Sequence, residues 1–314
     1  MSTRRTVMIL IFTLLLSAPA AGQTRGVLVT QDALDPATQE TLRAGIDAAR
    51  LESPAAFQRL AELRTRLPEL DAAKRGRLPI LLPALQAMGA DALLPMLAEI
   101  AFDGAPRGDL ADSAWLGWRA SLLEAVGKLR DPRAAGVLRA VVAKGPAQRI
   151  ITSAAAGALG KLLTDDAAAW LVEALAAADG ERRLGILRGL GSCRRAVAVD
   201  AMAAALRARP GPEEAQLIAK SLGDAGSSWA WRTPVVAATG EEDAVRRLAA
   251  EALAEMWPAY DGQAQKKIGH GLLMVEHPET PALLRAAVAQ ADAGTKAAAE
   301  VLIDRFEDKS FRGN

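Results

Sequence analysis

The sequence has few of the side chains that build disulfides, metal sites and aromatic cores. Its 314 residues include one Cys, two His and only 4% aromatic residues. The single Cys193 excludes an internal disulfide. The low aromatic content argues against a β-sandwich, whose short alternating strands favour aromatic and β-branched residues. His270 and His277 alone are a weak signal for zinc or iron, which need three or four converging ligands. We therefore expect no metal and no cofactor.

The sequence also lacks an excess of charge of either sign. It has 38 basic and 37 acidic residues, for a net charge of +1. Removal of the first 22 residues takes away Arg4 and Arg5, which leaves 36 basic against 37 acidic residues and a net charge of −1. Interspersed charges of both signs provide no electrostatic footprint for a polyanion. We expect no nucleic-acid partner.

The N-terminus carries the pattern of a secretory leader. Arg4 and Arg5 precede an apolar run at 7–16, which is too short to span a bilayer comfortably. Small residues follow at 17–22, with cleavage expected after Ala20 or after Gly22. The sequence therefore predicts a signal peptide at 1–22, a periplasmic or secreted mature chain, and no stable membrane insertion. An uncleaved N-terminal anchor is the alternative.

Small apolar residues, above all alanine, are abundant, and they recur in a repeated segment. Ala-rich helical segments close every 31 to 33 residues, at Gly127, Gly160, Gly191, Gly223 and, in a related copy, Ala254. This period predicts helix pairs in which each unit buries its apolar face against its neighbours. Glycine at the end of a copy is expected to adopt the left-handed conformation that ends a helix. Second helices are predicted near 132–143, 166–177 and 195–208, with a weaker one near 231–238.

The repeats suggest a division of the chain after the leader. Residues 23–82 are predicted to form an extended or loosely held lead-in followed by helices, which start at Asp35-Pro36 and Ser53-Pro54. Residues 83–314 are predicted to form the repeat array with C-terminal capping helices. The loop at 103–110 is interpreted as an insertion between repeats.

One copy carries a family resemblance. The segment Val245-Arg246-Arg247-Leu248-Ala249-Ala250-Glu251-Ala252-Leu253-Ala254 has Arg eight residues before its closing position. It resembles the second helix of HEAT repeats, most closely the short bacterial HEAT-like repeats first named from phycobilisome lyases. The family's Arg position is occupied by Arg119, Arg183 and Arg246, and its turn acid by Asp131 and Asp165. The copies at Thr152 and Ala215 lack the Arg.

The resemblance implies an all-α fold, a right-handed α-solenoid of HEAT-like helix pairs whose second helices line a concave face. It also implies structural roles for the arginines, which would tie the turns together. It implies no chemistry by itself, since a fold does not specify a function.

The strongest binding signal is Trp229 and Trp231, followed by Arg232. Two Trp side chains at i and i+2 cannot both face one helix core, and Trp and Arg predominate in binding hot spots. Helices of mixed charge also favour a specific protein surface. The residues proposed for that surface are Glu213, Lys220, Arg247 and Glu251.

These features lead to the hypothesis of a non-catalytic scaffold that binds a protein partner through its concave face or the Trp229 segment. One alternative is a lyase-like protein that handles a small ligand or chromophore in its groove. A second is a cell-envelope spacer. A nucleophilic Cys193, activated by Arg194 and Arg195, is disfavoured because no His lies nearby in sequence.

Overall fold

The computed structural model describes residues 26–308, and every regular element in that range is a helix. The all-α expectation is confirmed. Eighteen α-helices follow one another in this described part of the chain: α1 Pro36–Glu52, α2 Pro54–Thr65, α3 Leu67–Ala72, α4 Leu82–Gln86, α5 Leu93–Ala101, α6 Asp112–Leu129, α7 Ala135–Lys144, α8 Arg149–Gly160, α9 Asp165–Ala177, α10 Gly180–Leu190, α11 Ala196–Arg207, α12 Pro212–Gly226, α13 Ser228–Trp231, α14 Pro234–Ala237, α15 Glu242–Met256, α16 Gly262–Val275, α17 Thr280–Ala287 and α18 Ala293–Glu307. The signal peptide predicted at 1–22 lies outside the described residues.

No helix within 26–308 combines the length and the apolarity needed to cross a membrane. The predicted helix starts at Pro36 and Pro54 are confirmed, and the side chain of Asp35 caps α1 by accepting from the Thr38 N–H at 2.9 Å. The weak helix expected near 231–238 is two helices of four residues each, α13 and α14.

The lead-in at 26–29 has no regular secondary structure, with a bend at Leu28 and Val29, and it is firmly held, whereas an extended or loosely held segment was expected. Val27, Leu28 and Val29 are buried. The backbone of Leu28 donates to the carbonyl of Ile100 at 2.7 Å, and that of Gly26 to Gly104 at 3.1 Å. The segment therefore packs on the C-terminal end of α5. Helices α1 and α2 also pack on α5, and α3 and α4 pack on α6.

The larger part of the chain is a succession of helices that pack on their neighbours. We call α6, α8, α10, α12 and α16 the first row, because each packs against the next. Helices α9, α11, α15 and α17 form a second series of the same kind. Buried side chains run from Leu28 to Phe306 as one apolar core, much of it alanine.

The glycines of the repeat have a different role from the one expected. Their φ angles are not positive, whereas the left-handed positions after α6 and α8 are Arg130 and Leu163. A Cβ added at Gly127 would lie 2.5 Å from Cα of Ala158, and one at Gly160 would lie 2.8 Å from Cβ of Cys193. The glycines thus permit close helix approach, and they do not act as left-handed caps.

The same measurement corrects the position of the last copy. An added Cβ at Gly191 would lie 3.1 Å from Cα of Ser221 in α12, and one at Gly223 would lie 3.0 Å from Cα of Gly271 in α16. The first row therefore continues into α16. The copy ending at Ala254 is α15, which packs on α11 and α17 in the second series as well as on α12 and α16.

Candidate functional site

The two tryptophans after α12 have opposite environments. Trp231 is 3% exposed, and its indole N–H donates to the carbonyl of Ala225 at 3.1 Å. Trp229 is 71% exposed. The prediction that the two Trp side chains cannot both face one helix core is confirmed. Trp231 is buried in the core, and Trp229 lies at the surface.

Trp229 carries a cation on its ring and borders a cleft of mixed polarity. The guanidinium carbon of Arg232 lies 4.0 Å from the ring centroid, within range of a cation–π interaction. The cleft has a volume of about 280 Å³, and its lining combines apolar side chains (Leu273, Met274 and Phe306) with charged ones (Glu276, Arg305 and Asp308). We call Trp229, Arg232 and this cleft the Trp229 site.

The charged residues proposed for the same surface lie elsewhere. Glu213 is at the N-terminal end of α12, about 20 Å from the C-terminal end at the rise of an α-helix, and pairs with Arg149 at 2.7 Å. Lys220 pairs with Asp224 within α12 at 3.0 Å. Arg247 and Glu251 are on α15 of the second series. None of these four residues lines the cleft beside Trp229.

Two of the family arginines bind helix ends. Arg183 donates from Nη1 to the carbonyl of Leu175 in α9 at 3.2 Å and pairs with Glu214 at 3.0 Å. Arg246 of α15 donates from Nη2 to the carbonyls of Val275 and Glu276, at 3.1 and 2.9 Å. Both arginines thus donate to carbonyls in the last turn or at the end of a helix, where the regular helical hydrogen bonds stop; the carbonyl of Leu175 also accepts from the Ala178 N–H at 3.4 Å.

The remaining family positions form no Arg–Asp ladder. Arg119 stacks on Trp115 with its guanidinium carbon 5.2 Å from the ring centroid, and burial lowers the pKa of Arg119 to about 10. Asp131 caps its own turn by accepting from the Arg133 N–H at 2.9 Å. Asp165 pairs with Arg195. The family arginines and acids thus act separately.

The contacts of Cys193 and of the two histidines do not support a nucleophilic thiol or a metal site. Burial raises the pKa of the Cys193 thiol to about 12, and the nearby Arg194 and Arg195 offset this only in part. His277 is buried and its Nδ1 accepts from the Glu279 N–H at 3.4 Å, whereas His270 is exposed on α16. No group of three or more His, Cys, Asp and Glu residues within 26–308 could hold a metal ion.

The structure also assembles a cationic group that sequence reasoning missed. Lys128 and Arg130 end α6, Lys161 ends α8, and Arg194 follows α10. Arg130 donates from Nη1 to the carbonyl of Lys161 at 2.7 Å. Burial lowers the pKa of Lys161 most, and the charges of Lys128, Arg130 and Arg194 lower it further. We call these four residues the Lys161 cluster.

The cluster has a modest sequence signal. Lys161 directly follows Gly160, and Lys128 directly follows Gly127, so both occupy the same position after a repeat glycine. Because the glycines bring successive helices of the first row into close contact, residues at this position become neighbours.

A comparison of the chain with protein-family models finds no match, and a comparison with curated protein sequences finds none either.

Proposed function

We propose that the chain is an exported, HEAT-like α-solenoid that binds a protein partner at the Trp229 site and has no catalytic activity of its own. The repeat period and the successive packing of α6, α8, α10, α12 and α16 support a solenoid. The resemblance to HEAT repeats supports its right-handed form. The leader pattern at 1–22 supports export.

The observation that carries the binding proposal is the exposure of Trp229. A side chain of this size leaves a large apolar area in water when it is 71% exposed. Trp and Arg are the residues most enriched in hot spots, and here they are stacked on each other. The adjoining cleft could receive an apolar side chain of a partner. This combination favours a protein interface over a surface that serves only as a spacer.

The test is cross-linking of the mature chain in its own envelope fraction, followed by affinity purification and mass spectrometry. We expect one stoichiometric protein partner, cross-linked next to Trp229. The Trp229→Ala variant should lose it. Ile80→Ala is the matched control, since Ile80 is also strongly exposed but lies between α3 and α4.

Equal capture by the Trp229→Ala variant would contradict the proposal. So would the absence of any specific partner, which would favour the spacer.

The small-ligand alternative has one supporting observation. A groove of about 650 Å³ lies between α16 and α18, lined by apolar side chains such as Leu273 and Val301 and by His270. Its size is in the range of small-molecule sites. Native mass spectrometry of the purified chain distinguishes this function, because a copurifying small molecule would add mass and a protein partner would not be required.

A further inference from the structure

The Lys161 cluster has little acidic compensation. Glu124 acts on Lys161 electrostatically, but no ion pair joins them within the described residues. Asp224 acts on Arg194, but its carboxylate is already bound by Arg188 at 2.8 Å and Lys220 at 3.0 Å. The four cations of the cluster are therefore acted on by two carboxylates, and neither of these forms an ion pair with a member of the cluster in the described part of the chain.

Arg194 has unused hydrogen-bonding capacity. It donates to the carbonyls of Ser192 and Asp224, at 3.4 and 3.5 Å, and both contacts are at the long limit of a hydrogen bond. Its Nε is fully buried, so an anion from solvent can reach only the terminal Nη1 and Nη2 groups. An oxyanion there would provide closer, charge-assisted acceptors than the two carbonyls do.

The location of these cations at helix C-termini is not sufficient to stabilise their charges. Cations near helix C-termini are ordinarily stabilised by the exposed carbonyls, an effect that would keep the charged form favourable. Here burial and the neighbouring cations outweigh it, and the pKa of Lys161 falls to about 8. Burial also lowers the pKa values of Arg130 and Arg194. Desolvation and mutual repulsion therefore destabilise the charged forms of these side chains, and a bound anion would reduce both effects.

We propose that the Lys161 cluster is a binding site for a phosphate group. The guanidinium groups of Arg130 and Arg194 offer the planar donors that match oxyanion geometry, and the ammonium groups of Lys128 and Lys161 add mobile point charges. A phosphate dianion neutralises twice the charge that a single carboxylate does. The group can belong to a soluble phosphate compound or to a lipid headgroup. This inference does not depend on a protein partner at the Trp229 site.

The test is isothermal titration calorimetry of the full chain with inorganic phosphate at neutral pH, with chloride used to hold the ionic strength constant. We expect saturable binding that falls about tenfold or more in Lys161→Gln and in Arg194→Gln. Lys161→Gln is the safer variant for folding because it removes a half-buried charge. Lys296→Gln is the matched control, since it removes an exposed cation on α18 and should leave binding unchanged.

A second arm identifies the source of the phosphate. Co-sedimentation with phosphatidylcholine vesicles, with and without phosphatidic acid, tests the headgroup of a lipid. Binding that depends on Lys161, to inorganic phosphate alone or also to phosphatidic acid vesicles, supports the proposal and assigns a soluble or a lipid ligand. Absence of binding in both arms, or equal binding by Lys161→Gln and wild type, overturns it.

Discussion

Arg246 of α15 binds the carbonyl of Val275, the last residue of α16, through Nη2 at 3.1 Å and Nε at 3.3 Å. The adjacent Arg247 is exposed, and no hydrogen bond or ion pair within residues 26–308 involves it. Substituting each of the two residues therefore distinguishes the effect of the contacts with the end of α16 from the effect of removing one positive charge from α15.

We expect Arg246→Met to lower the free energy of unfolding by about 2 kcal/mol, because the carbonyls at the end of α16 lose charged donors. Arg247→Met should change it by less than about 0.5 kcal/mol. Urea unfolding followed by circular dichroism measures both. Equal effects of the two substitutions would show that the contact with Val275 is not stabilising.

A repeat glycine, Gly127, and a glycine within α8, Gly157, give a second matched pair. We expect Gly127→Ala to destabilise the protein by about 2 kcal/mol, because the new methyl group would lie 2.5 Å from Cα of Ala158. At Gly157, in α8, the nearest atom would be Oγ of Ser192 at 3.5 Å. Gly157→Ala should therefore be neutral or stabilising by up to about 1 kcal/mol. Thermal unfolding of both variants tests this, and destabilisation of similar size at both positions would contradict it.

Lys161 should make stability depend on alkaline pH. Its pKa is lowered from 10.5 to about 8 in the folded protein, so the folded state releases this proton before the unfolded state does. The free energy of unfolding should accordingly increase as the pH rises from about 8 to about 10.5.

At neutral pH the folded state bears the cost of the buried charge, and Lys161→Gln should be more stable than wild type by on the order of 2 kcal/mol. The difference in the free energy of unfolding between Lys161→Gln and wild type should decrease as the pH rises from about 8 to about 10.5. Urea unfolding across the window is the measurement, and a difference that does not change with pH would contradict the assignment.

His277 should make stability depend on acid pH. Burial lowers the pKa of its imidazole below the ordinary 6.5, so the unfolded state binds a proton at a higher pH than the folded state does. Stability contributed by the neutral imidazole is therefore lost as the pH falls below about 6.5.

His277→Asn keeps an acceptor for the Glu279 N–H and should show a smaller loss of stability over the acid range. The exposed His270 supplies the control, because His270→Asn should retain the wild-type profile. Thermal unfolding as a function of pH distinguishes the two variants. If the stability of His277→Asn fell with decreasing pH as steeply as that of wild type, groups other than His277 would be responsible for the decrease.

Local rules predicted many of the helices well. The capping residue and proline at Asp35-Pro36 predicted the start of α1, and the repeat period predicted α9 and α11 closely. The constraint on i and i+2 positions also predicted that Trp229 and Trp231 cannot share one helix core, but only the structure shows that Trp229 is the exposed one. The Lys161 cluster was missed, since its four residues are spread over 67 positions from Lys128 to Arg194.

Helices, a period of 31 to 33 residues and small residues at fixed positions could all be predicted from the residues alone, because these properties depend on local spacing and propensity. The use of the glycines for close helix approach and the position of α16 after α12 in the first row could be seen only in the folded chain. Both outcomes depend on which helix face meets which neighbour. Repeat similarity placed α15 in the first row, but packing places α16 there, because a glycine pair, Gly223 and Gly271, allows the two backbones to approach.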